Sequence, residues 1–181
     1  FPKRPSLVLL GDSLFAYYDG WARLAPEATV FNFGRGGDNT HCVLKRVPEA
    51  CQAQPETILL QVGLNDLLQK VAPEVIAENH LLIWQNIARQ APLASLKICS
   101  LLPVNETKFI SKNIIVTNNM IKKTNDRLAQ LAQAFRLDFI NLFPQMGPEA
   151  LPGHLTDDGV HLLEPGYQLW LDCLREHLTA G

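Results

Sequence analysis

The chain has 181 residues, 47% of them apolar and 19% charged, with a formal net charge of -2. That length suits one domain over residues 1–181 with a sizeable core. The near-neutral balance gives no general attraction to nucleic acid or an anionic membrane surface, and no apolar run is long enough for a transmembrane helix.

The chain opens Phe1-Pro2-Lys3-Arg4-Pro5 and enters a strand at once, so no signal peptide is visible and a cytoplasmic or a periplasmic location stays open. Leu7-Val8-Leu9-Leu10 reads as a fully buried parallel strand. It halts at Gly11-Asp12-Ser13, and a helix is expected from Leu14 past Trp21 and Leu24 to about Pro26. Thr29 to Phe33 is a second strand, ended by the cluster Gly34-Arg35-Gly36-Gly37-Asp38-Asn39-Thr40. A helix follows with Val43, Leu44, Val47 and Cys51 on its apolar side. Thr57 to Val62 is a third strand, stopped by Gly63-Leu64-Asn65-Asp66. A helix from about Pro73 to Gln90 carries Ile76, Ile83, Trp84 and Ile87. Leu96 to Leu102 is a fourth strand, halted by Pro103, and a polar rim loop is expected from Val104 to Asn113. Ile121, Leu128, Leu131 and Phe135 mark a long amphipathic helix. A short fifth strand runs from Leu137 to Leu142, and a loop from Phe143 to Gly159. The last helix opens at Pro165, a favoured first-turn residue.

Strands alternating with helices at this pitch predict an α/β protein: a three-layer α/β/α sandwich around a flavodoxin-like, five-stranded parallel sheet in the order 2-1-3-4-5. Right-handed crossovers then bring every strand-to-helix loop to one edge. Cys42, Cys51, Cys99 and Cys173 match neither a zinc pattern nor a redox pair and read as free thiols. Asn105-Glu106-Thr107 is formally a glycosylation sequon, read here as a chance match.

Chemistry concentrates at the loop edge. Ser13 ends a strand and begins a helix, where unpaired N–H groups and a positive dipole end suit a developing negative charge. Asp12 and Ser13 also serve as helix caps. Asp158 and His161 lie three residues apart, close enough for one turn to aim a carboxylate at one imidazole nitrogen while the other faces outward. His41, His80 and His177 fall on helices, and His154 has no carboxylate within one turn before it. Three groups could face an oxyanion: the Ser13 N–H, the side-chain-free Gly37 and the Asn65 amide. Each also has an ordinary reading as a turn or cap residue.

Four blocks together resemble the GDSL, or SGNH, hydrolase family. They are Gly11-Asp12-Ser13-Leu14, Asn32-Phe33-Gly34-Arg35-Gly36-Gly37-Asp38, Gly63-Leu64-Asn65-Asp66 and Asp158-Gly159-Val160-His161-Leu162. They occur in the family's order and span nearly the whole chain. The second is similar to platelet-activating-factor acetylhydrolase subunits, and Leu101 to Asn105 is similar to bacterial lysophospholipase-like relatives. The resemblance implies a Ser13-Asp158-His161 triad, with the acidic role on Asp158 rather than Asp157. It also implies an oxyanion hole from Ser13, Gly37 and Asn65. Leu64 departs from the small or β-branched residue of many relatives. The Gly-x-Ser-x-Gly elbow of α/β-hydrolases is absent.

The expected activity is serine esterase or acylhydrolase chemistry on a small-molecule ester, through an acyl-enzyme and with no metal or organic cofactor. Leu14, Leu64, Pro103 and Val160 are the expected substrate-site residues, and Leu67 and Leu68 could lengthen an apolar slot. Lipid, lysophospholipid, thioester and short-chain acyl substrates all fit. A carbohydrate O-acetylesterase is the alternative, and a non-catalytic flavodoxin-like binding module the remote one. The absence of a Walker loop and the acidic Gly11-Asp12-Ser13 turn disfavour the last.

Overall fold

The computed structural model describes residues 4–109 and 116–178. Five parallel strands form one sheet: β1 (Ser6–Gly11), β2 (Thr29–Gly34), β3 (Thr57–Gln61), β4 (Ser95–Cys99) and β5 (Asp138–Ile140). Their order is β2-β1-β3-β4-β5, the α/β arrangement expected from the sequence. β1 lies at the centre of the site half, with Gly11 in register with Gly34 on one side and Gln61 on the other.

Alternation along the strands sorts the core into two layers. Leu7, Leu9, Leu59 and Cys99 face a layer containing Phe15, Trp21, Tyr167 and Trp170. Val8, Leu10, Ile58, Leu60 and Ile98 face the helices α2 (Thr40–Gln52), α4 (Pro73–Gln90) and α5 (Asn118–Ala134), through Val43, Val47, Ile83, Trp84 and Ala132. On the first face lie the single turn α1 (Ser13–Ala16) and the long α7 (Glu164–Leu178). The short helices α3 (Leu64–Leu68) and α6 (Phe143–Met146) sit at the carboxyl edge with a third apolar cluster.

The helix expected from Leu14 to Pro26 does not form. α1 stops at Ala16, and a 3-10 turn, Gly20–Arg23, follows. The Trp21 indole N–H and the Asn32 amide both donate to the Phe15 carbonyl, at 2.9 and 2.8 Å, taking an acceptor that a continuing helix would use. β4 ends at Cys99 rather than Leu102, because the Leu101 N–H and carbonyl turn to the Asn125 amide. The expected loop from Phe143 to Gly159 contains α6 and a 3-10 turn, Gly153–Leu155. All four cysteines are free thiols; Cys51, Cys99 and Cys173 are buried and Cys42 is half-buried. Of the expected rim loop, residues 110–113 lie outside the described residues.

Candidate active site

Ser13 is the first residue of α1, directly after β1, and is 9% exposed. Asp12 caps the turn, its Oδ1 accepting the Leu14 N–H at 3.0 Å. A single helical turn has little stability of its own. Tertiary donors hold it: Tyr167 Oη donates to the Leu14 carbonyl at 2.8 Å, beside the Trp21 and Asn32 bonds to Phe15. Phe15 in turn stacks on Trp170 with ring centroids 5.2 Å apart. The buried aromatic layer therefore fixes the serine.

Asp158 and His161 stand on the loop before α7. Asp158 Oδ1 accepts the N–H groups of Val160 and His161 at 2.9 and 2.8 Å, and its Oδ2 lies 2.6 Å from His161 Nδ1. The far nitrogen, His161 Nε2, is 2.9 Å from Ser13 Oγ. A proton on Nδ1, shared with the carboxylate, leaves Nε2 as the acceptor for the serine hydroxyl. Burial pushes the Asp158 carboxyl up. The His161 side chain and the two N–H bonds outweigh that and hold it below the ordinary carboxylate value. Asp157 is exposed.

The described part of the rim loop is clamped to the base loop. The Asn105 N–H donates to the Gly159 carbonyl at 2.8 Å, and its side-chain amide to the Leu151 carbonyl at 2.8 Å. Lys108 Nζ donates to the carbonyls of Gly153 and Thr156, each at 2.7 Å. The sequon asparagine is thus a brace inside the fold.

The oxyanion candidates come from the ends of β2 and β3. Gly37 has φ +80, in the left-handed region, and a Cβ there would meet nothing within 4 Å, so its face is open. Asn65 in α3 donates one amide hydrogen to the Asp38 carbonyl at 2.8 Å, leaving its second for another acceptor. Two buried groups fix these turns. Arg46 binds Asp38 Oδ2 through Nε at 2.7 Å and also donates to the carbonyls of Phe33 and Gly11. Asp66 accepts from the Thr40 N–H and hydroxyl, capping α2 from another element. Burial pushes the Asp12 carboxyl up to about 7. The Leu14 N–H and His161 oppose the shift, while Asp38 and Asp66 reinforce it. His80 is fully buried on α4 with Nε2 2.9 Å from the Val62 carbonyl, and burial lowers it to about 4.

Ser13, Asn65, Asp158 and His161 line one cavity of about 110 Å³. Leu64, Leu68, Phe109 and Val160 supply its apolar wall. Leu14 and Pro103 instead line an adjoining void of about 10 Å³ that shares Asp12, Leu64 and Val160 with the cavity, and Leu67 is 1% exposed in the core. Sequence reasoning missed Arg46, Phe109 and Tyr17. Arg46 had a signal: it shares the stripe of Val43, Val47 and Ala50, where a charge needs a partner. Phe109 and Tyr17 had none: Phe109 is a single aromatic in a polar loop, and Tyr17 lies beside Phe15 and Tyr18 in a stretch that reads as helix.

A hydroxyl, an imidazole and a carboxylate in line at the carboxyl edge of this sheet, with an apolar cavity beside them, mark the class: a carboxylic ester hydrolase on an α/β sandwich. The chain belongs to the GDSL-like lipase/acylhydrolase family, whose family model matches residues 9–169. It is 31% identical over 172 residues to platelet-activating factor acetylhydrolase IB subunit alpha2 of Rattus norvegicus, covering 91% of this chain and 72% of that protein. It is 28% identical over 186 residues to an arylesterase of Vibrio mimicus, covering 91% and 83%. A solved chain from Streptococcus pneumonia superposes with a TM-score of 0.85 at 29% identity, covering 98% of this chain and 85% of that one. The lipase/acylhydrolase from Enterococcus faecalis shares the fold, with a TM-score of 0.77 at 21% identity and coverage of 96% and 95%. Esterase or acylhydrolase activity follows from the family. Among the described residues no helix is long and apolar enough to cross a membrane.

Proposed function

We propose that the protein hydrolyses carboxylic esters of short acyl groups, with Ser13 as nucleophile, His161 as general base and acid, and Asp158 as its orienter. The observation that carries this reading is the unbroken line from Ser13 Oγ to His161 Nε2 at 2.9 Å and from His161 Nδ1 to Asp158 Oδ2 at 2.6 Å. Ser13 Oγ attacks the ester carbonyl as His161 takes its proton. The tetrahedral oxyanion is met by the Ser13 and Gly37 N–H groups and the remaining Asn65 amide hydrogen. Each donor is worth on the order of 3 kcal/mol of barrier. His161 then protonates the leaving alcohol, the C–O bond breaks, and water releases the acid from the acyl-enzyme by the same route reversed.

Acyl size is read from the cavity. A space of about 110 Å³ holds a few carbon atoms beside the serine. The adjoining void, about 10 Å³, has room for about one water at most. The acetylhydrolase name of one relative is consistent with this.

p-Nitrophenyl esters from acetate to decanoate, assayed with Ser13→Ala in parallel, test it. The expected result is a rate that peaks at the shortest acyl chains and is lost in the mutant. A peak at octanoate or decanoate overturns the short-acyl reading. Mutant activity equal to the parent's removes Ser13 as nucleophile.

A further inference from the structure

Tyr17 is 63% exposed, the most exposed tyrosine among the large hydrophobics at the surface. It directly follows α1, and its N–H donates to the Ser13 carbonyl at 3.0 Å, so its backbone is fixed to the serine turn. Its ring lies against His161, with centroids 5.2 Å apart and planes at 42°. Its other end reaches the glycine turn of the oxyanion side. A Cβ built on Gly36 would stand 2.5 Å from Tyr17 Oη and 3.2 Å from the ring atom Cζ. The phenol therefore spans from the proposed general base to the residue before Gly37, and the glycine at position 36 leaves room for it.

That position has a chemical meaning on the proposed mechanism, on which this inference rests. His161 hands its proton to the departing alkoxide, so the alcohol half of the ester sits beside the imidazole. The acyl half occupies the cavity bounded by Leu64, Leu68, Phe109 and Val160. A substituent on the alcohol oxygen leaves the site past the imidazole, along the side that Tyr17 borders. An exposed aromatic face there offers stacking to a flat ring and little directional bonding to a flexible chain. We propose that Tyr17 is the floor of an alcohol subsite and selects esters whose alcohol carries a planar aromatic ring.

Benzyl acetate, n-pentyl acetate and cyclohexylmethyl acetate form the test set. All three pass through the same acetyl-enzyme and release primary alcohols of similar basicity, so differences in kcat/KM report recognition of the alcohol. The parent is expected to favour benzyl over both others. In Tyr17→Ala the benzyl-to-pentyl ratio of kcat/KM should fall about fivefold, the size of one aromatic pair, mostly through KM. Tyr17→Phe keeps the ring and should hold the ratio within about twofold of the parent's. Equal loss on all three esters in Tyr17→Ala would mean that the ring only steadies His161, and would overturn the subsite. So would a cyclohexylmethyl preference matching benzyl, because bulk rather than a flat face would then decide. Ser13→Ala separates the two levels: if it retains turnover of all three esters, the proposed mechanism fails whatever Tyr17 does.

Discussion

Ser13, Gly37 and Asn65 stand at the ends of β1, β2 and β3, while Asp158 and His161 stand on a loop that follows no strand of the site. The first group is locked from below by buried polar bonds. Ser13 is 9% exposed, and Arg46 and Asp38 have side chains 9% exposed each. The second group is open: the side chains of Asp158 and His161 are 54% and 39% exposed. It is positioned by its own turn and by the clamp from Asn105 and Lys108. The strand-end half is part of the folding core, so damage there is read as lost stability. The loop half can lose its chemistry while the fold survives.

Asp158→Asn presses that contrast hardest. Asparagine keeps a turn-forming oxygen but loses the charge that orients and stabilises the imidazolium. kcat/KM should fall about 10³–10⁴-fold, with the melting temperature nearly unchanged. A large loss of melting temperature would erase the distinction between the halves.

Asp12→Asn probes the buried half through pH. The native carboxyl holds its proton up to about 7, against 3.8 for an ordinary one, so the native state binds more protons between those values. Its contribution to stability is fully present below about 3.8 and is lost as pH rises through about 7. His80, lowered from 6.5 to about 4, acts in the opposite sense: its contribution is present above 6.5 and lost as pH falls through about 4. The two slopes oppose each other in the parent. Asp12→Asn removes one, on the order of 4 kcal/mol over the window. Denaturant unfolding of the variant should then show stability rising from pH 4 to 6.5, where the parent is flatter.

Arg46→Met should cost at least about 3 kcal/mol in the same measurement, because Asp38 is left buried without its partner. Lys108→Met removes the donor to two loop carbonyls. It should cost about 1 kcal/mol of stability and lower kcat several-fold, a loss in activity out of proportion to the loss in folding. Asp157→Asn, one residue from the proposed orienter, should stay within about 0.5 kcal/mol and twofold in rate, sharpening the contrast with Asp158.

β1 and β3 were readable because a parallel strand buried on both faces is a continuous apolar run; the edge strand β2, with no buried residue, showed only as a β-prone run. Links of helical length made the strands parallel, and the order 2-1-3-4-5 is a common one for such an alternation. The candidate residues were readable because each sat at a break in that pattern: Ser13 after Leu10 and Gly11, Gly37 in a glycine cluster, Asn65 after Val62 and Gly63. The Asp158–His161 pair was local in sequence and needed no fold to be seen. The short α1 was not readable. Its apolar spacing suits a longer helix, and it ends where Trp21 and Asn32 capture the Phe15 carbonyl from outside.

By itself, then, the sequence determined the layers, the edge where the loops gather and the residue types that meet there, because burial and turn chemistry act over a few neighbouring positions. Only the tertiary structure decided that Arg46 would bind Asp38, that Asn105 and Lys108 would hold the base loop, and that Tyr17 would lie against His161. Those contacts join residues from separate elements, and their partners are fixed by packing distance, which no local pattern records.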